Sequence, residues 1–83
     1  MILPAQLKAA RALLGWSQDR LAQASGVGAS TIKRMETREG SIGGHADNVW
    51  KIEAALEDAG ISFLDENDVD GVGVRLKKGP PRD

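Results

Sequence analysis

The sequence contains no cysteine and a single histidine, His45. Without thiols, neither a disulfide framework nor a thiolate metal site can be built. His45 has no second histidine nearby with which to share a metal, so it reads as a residue at the entry to a helix. No segment approaches the roughly 18 consecutive apolar residues of a membrane span. The opening MILPAQLKAARALLG has no basic n-region feeding a long apolar run, so no signal peptide is expected. A chain without thiols suits a reducing cytoplasm, which is the expected location. No nucleophile–base constellation, phosphate-cradling loop or paired carboxylates stand out, and 83 residues leave little room for a substrate pocket. Neither catalysis nor a cofactor or metal is expected.

Charge is also scarce as a net quantity, at −1, but its distribution is uneven. Residues 1–40 carry six basic residues (Lys8, Arg11, Arg20, Lys33, Arg34, Arg38) against three acidic ones, leaving +3. Residues 41–83 carry five basic against nine acidic residues, leaving −4. Such asymmetry points to a polyanionic partner for the basic half, and leaves the acidic half free to meet a protein.

What is present is helical periodicity. Leu3, Leu7, Ala10 and Leu14, with Leu13 alongside, make one stripe on a first helix. Pro4 is tolerated in its first turn, and Gly15 fits a C-cap. Ser17 is a good N-cap for a second, short helix whose apolar side is Leu21, Ala22 and Ala24. Gly26 ends that helix. A third helix starts at Gly28 or Ala29 and runs to Thr37. Ile32 and Met35 lie on one face, with Ser30, Lys33, Arg34 and Arg38 mostly on the other. The glycine-rich REGSIGGH is a loop. A fourth helix spans about Ala46 to Ala59, with Val49, Ile52 and Leu56 as its stripe, joined by Ala59 and by Trp50, for which core packing is favoured over a dimer contact. Ile61–Leu64 and Gly71–Leu76 read as strands, Val72, Val74 and Leu76 alternating in the second.

DENDVDG, between the strands, superficially resembles a calcium loop. Counted from Asp65, the sixth position is Asp70 where glycine is required; counted from Glu66, the twelfth is Lys77 where a bidentate glutamate belongs. It reads as a solvated turn.

Two short helices joined through a glycine, the second with a polar and basic outer face, form a helix-turn-helix. In that unit the second helix enters the major groove of DNA and its N-terminal residues reach base edges. The stretches GWSQDRLA and SGVGASTIKRME, with the loop and helix that follow, resemble the lambda-repressor-like, Cro-type (XRE) family. The matching positions are Gln18, Ala22, Gly26 and Ile32, and the likeness runs from about Leu7 to Ala59. It implies a mainly α fold, a four- to five-helix bundle over residues 1–60. The segment from Ile61 to Lys78 lies outside the core family pattern; the alternation there predicts a short C-terminal β-hairpin or strand pair over 61–78, followed by a disordered tail over 79–83.

The resemblance also implies roles. Ala29, Ser30, Lys33 and Arg34 take the base-reading positions, with Arg34 suited to a bidentate contact with guanine. Ser17, Gln18, Thr31 and Arg38 take phosphate-contacting positions, and Gln18 also braces a recognition side chain. Alanine at position 29, where relatives often carry a long polar residue, offers only apolar contact, for instance with a thymine methyl. Arg11 and Glu36 match an ion pair linking the first and third helices. Trp16 is expected to pack beneath the first turn of the motif rather than stack on a nucleotide.

A lone hairpin is marginal in water, so the C-terminal strands are expected to form a homodimer. The alternative is a tail folded on its own domain. The expected function is sequence-specific binding of double-stranded DNA by a small regulator of bacterial or phage type, repressing by operator occupancy. A protein-interaction module, or an antitoxin-type partner protein, is the alternative reading.

Overall fold

The computed structural model describes residues 2–37 and 46–77. The phosphate contact expected at Arg38, the glycine-rich loop, His45 and the 79–83 tail lie outside the described residues. Among those described are four helices, α1 (Pro4–Leu14), α2 (Gln18–Ser25), α3 (Ala29–Thr37) and α4 (Ala46–Asp58), followed by β1 (Ile61–Leu64) and β2 (Gly73–Leu76).

Helix α1 begins at Pro4, whose missing N–H is no loss in a first turn. Its cap residue, Leu3, has no side-chain acceptor to offer; instead Gln6 reaches back, and its Oε1 accepts the Leu3 N–H at 2.8 Å. Leu7 and Ala10 are fully buried, whereas Leu13 is exposed. At α2, Ser17 Oγ accepts the backbone N–H of Arg20 at 3.0 Å, the expected N-cap bond. Helix α2 stops at Gly26, whose φ of 77° only glycine adopts cheaply and whose N–H closes on the Ala22 carbonyl at 2.9 Å. The residues between the motif helices are not a bare spacer. Val27 is buried in the core, and its N–H is held by Ser25 Oγ at 3.1 Å. Ala24, placed on the apolar side of α2 by periodicity, is exposed.

Leu7, Leu21, Ile32, Ile52, Leu56 and Ile61 are the largest fully buried side chains. One residue comes from each of α1, α2 and α3, two from α4 and one from β1, so a single core joins the four helices and the first strand, and half-buried Val74 of β2 packs against it. Ile2 joins it from the N-terminal side. Trp50 does not: it is 69 % exposed, contrary to the core placement expected of it. It lies about 100° round the helix from Val49, off the Val49–Ile52–Leu56 stripe.

The strands pair antiparallel, Ile61 opposite Leu76 and Phe63 opposite Val74. The second strand starts at Gly73, two residues later than expected, and Val72 is exposed. Phe63 and Val74 pack on the core from one face of the pair. Between the strands, Asn67 Oδ1 accepts the N–H groups of Val69 and Asp70, both at 2.8 Å, making a local turn of the exposed acidic segment.

The pair is held to α1 by Gln6. Its Nε2 donates to the Gly73 carbonyl at 3.0 Å and, at 3.4 Å, to that of Leu64. Gln6 is buried, so the amide joins the first helix to the last strands inside the protein. Replacing Gln6 with leucine strands these carbonyls and the Leu3 N–H. We expect a loss of about 1–3 kcal/mol, read as a lower urea midpoint with faster amide exchange in residues 61–76. A midpoint equal to that of the unaltered chain would show that apolar packing alone docks the strands.

Candidate nucleic-acid interface

Helix α3 sorts its side chains by a simple rule. Ile32, Met35 and Glu36 face inward and are buried. Ser30, Lys33, Arg34 and Thr37 are exposed, and at spacings of three and four they form one continuous polar stripe. Ala29 and Thr31, at the start of the helix, are half-buried. Of the four residues expected to read bases, Ser30, Lys33 and Arg34 thus share an open face, while Ala29 sits at its margin. The stripe also contains Thr37, whose residue type alone does not single it out. Its Oγ1 donates to the Arg34 carbonyl at 2.9 Å, a local bond at the helix C-terminus.

Helix α3 is fixed to the rest of the protein by an ionic cluster on its inner side. Arg11 Nε donates to Glu36 Oε2 and Arg11 Nη2 to Glu36 Oε1, both at 2.7 Å, a bidentate fork. Arg11 Nη1 donates to the Trp16 carbonyl at 2.9 Å. Gln18 Nε2 donates to Glu36 Oε1 at 3.0 Å. The Gln18 amide is therefore turned toward α3, and Ser17 beside it is exposed. One carboxylate thereby ties α1, the start of α2 and α3 together.

Burial alone would push the Glu36 carboxyl up. The hydrogen bonds from Arg11 and Gln18, the charge of Arg11 and that of nearby Lys8 outweigh it, and the net effect holds Glu36 below the usual carboxylate range. Arg11 is shifted the other way: its bond to Glu36 raises it, burial opposes, and the Glu36 charge adds to the rise. Both groups are thus ionised at neutral pH. Among the described residues no buried side-chain polar atom lacks a partner, and no group of three or more His, Cys, Asp or Glu residues could hold a metal ion.

A capped α2, a turn plugged into the core and an α3 that keeps one polar face open form the geometry of a helix-turn-helix. The helix-turn-helix family profile matches residues 7–57, more than half of the chain. The chain belongs to the XRE-type, lambda-repressor-like helix-turn-helix family. Comparison with curated proteins finds no match. This family is one of DNA-binding regulators rather than of enzymes. No helix among the described residues is long and apolar enough to cross a membrane.

Proposed function

We propose that this helix-turn-helix protein is a sequence-specific transcriptional regulator that represses by occupying its operator, with α3 in the major groove. The carrying observation is the open stripe of Ser30, Lys33 and Arg34, backed by a helix face that is locked inward. Arg34 presents a guanidinium fork to guanine, the commonest specific pairing. Ser30 and Lys33 reach neighbouring bases, and Ala29 offers a methyl to thymine. Ser17, Gln18, Thr31 and Arg38 contact phosphates, which set register without carrying sequence information. Among these, Gln18 has a second task, because its Nε2 also braces Glu36. The setting consistent with this role is the cytoplasm.

For assembly the proposal is a homodimer through the C-terminal strands, binding paired half-sites. Half-exposed Val72 and Leu76 on the strand segment support it. The docking of the pair on α1 means that folding of the strands does not itself demand a second chain.

The test is selection of duplexes from a randomised pool by the full chain, followed by anisotropy titration. Enrichment of a palindromic site supports both regulator and dimer. A site without dyad symmetry argues for a monomer. Binding that enriches nothing and vanishes with salt reflects phosphate attraction alone, and would favour the protein-interaction reading. On the enriched duplex, Arg34→Ala should weaken binding by about 1–3 kcal/mol and relax preference at one position. Unaltered affinity and preference would remove Arg34 from the base-reading set.

A further inference from the structure

The Arg20 guanidinium lies over the Trp16 ring, 4.6 Å from its centroid. Arg20 is exposed, and no ion pair joins it to a carboxylate among the described residues. Instead it is stacked on an aromatic face, which orients the guanidinium without neutralising its charge.

The ring beneath it is itself fixed. Trp16 packs against the core. The Trp16 backbone is held at both of its polar groups: its main-chain N–H donates to the Arg11 carbonyl at 2.9 Å, and its main-chain carbonyl accepts from Arg11 Nη1 at 2.9 Å. Arg11 is in turn forked onto Glu36 of α3. The position of the Arg20 charge is thus referred, through Trp16 and Arg11, to the recognition helix. Arg20 also stands three residues from Ser17, on the same side of α2, and its backbone N–H is the one capped by Ser17 Oγ. A phosphate approaching Ser17 meets the Arg20 side chain next to it.

We infer that Trp16 and Arg20 form a pre-oriented phosphate clamp on α2, a DNA-backbone contact separate from the base-reading stripe of α3. The inference rests on the DNA-binding reading above. The clamp contributes affinity and salt dependence but no sequence preference, because phosphates are the same at every base pair.

The experiment compares the full chain with Arg20→Gln, Arg20→Lys and Trp16→Leu on the enriched duplex, at several salt concentrations. Loss of one phosphate contact lowers the slope of log affinity against log salt by about 0.9. A fourfold rise in salt should therefore weaken Arg20→Gln about 3.5-fold less than the unaltered chain. Arg20→Lys should recover the slope but not the full affinity, since the charge returns without the planar stack. Trp16→Leu should weaken binding when Arg20 is present and have no further effect in the Arg20→Gln background. The ratio between enriched and scrambled duplex should stay constant throughout. A slope and affinity equal to those of the unaltered chain in Arg20→Gln, with only a lower melting temperature, would overturn the clamp and leave a stabilising stack. If the unaltered chain binds no duplex at all, the DNA-binding reading fails, and the clamp with it.

Discussion

Replacing Glu36 with alanine is expected to cost about 3–5 kcal/mol of folding stability, because it leaves a charged partner without its carboxylate. The Arg11 side chain is only 19 % exposed and loses both arms of its fork, and Gln18 Nε2 loses its acceptor. Total stabilities of single domains are about 5–15 kcal/mol, so this one change consumes a large share. Urea unfolding followed by tryptophan fluorescence measures it. The companion variant replaces both partners, Arg11→Met with Glu36→Leu, and should recover much of the loss, since no unpaired charge remains. A loss below about 1 kcal/mol in Glu36→Ala would mean that the pair behaves as an exposed salt bridge.

The same carboxylate predicts an acid limb. The folded state holds Glu36 below its ordinary value of 4.5, so the unfolded chain binds its proton first as pH falls. The stability this group supplies is complete above about 4.5 and is lost as pH drops through the lower, folded value. In Glu36→Gln the decline over that window should be shallower than in the unaltered chain. Parallel curves would assign the acid limb to other carboxylates.

Ile32→Ala is the second large effect. Ile32 is fully buried on the inner face of the recognition helix, and truncations of this kind cost about 2–5 kcal/mol through lost contacts and the cavity left behind. For a domain of this size the melting temperature should fall by at least about 8 °C. Ser30→Ala, two residues away on the open stripe, should shift stability by no more than about 0.5 kcal/mol. The two variants separate what α3 does for the fold from what it offers outward. Equal destabilisation by both would mean that the stripe is not a free surface.

The helices of this protein were legible because their evidence is local. Leu7 with Ala10, and Val49 with Ile52 and Leu56, repeat at helical spacing, and Gly15, Gly26 and Gly60 stand where the chain must take positive φ. The Gln18, Ala22, Gly26 and Ile32 pattern is equally local, and with it came the family. Trp50 is apolar but lies about 100° round the helix from Val49, so its hydrophobicity alone does not place it in the core. Gln6 was invisible for a deeper reason. Periodicity scores a glutamine beside Leu7 as outward and polar. Its carbonyl partners, Leu64 and Gly73, lie 58 and 67 residues along the chain.

The sequence by itself thus determined which segments are helical, where the motif turn lies and which face of α3 is basic, since each depends on residues within a turn or two of one another. Only the tertiary structure decided that one carboxylate joins three helices, that Arg20 rests on Trp16, and that the C-terminal strands dock on α1. Those facts depend on which buried polar group finds which partner. A buried donor or acceptor must be satisfied wherever in the chain its partner lies, and only the folded chain brings the two together.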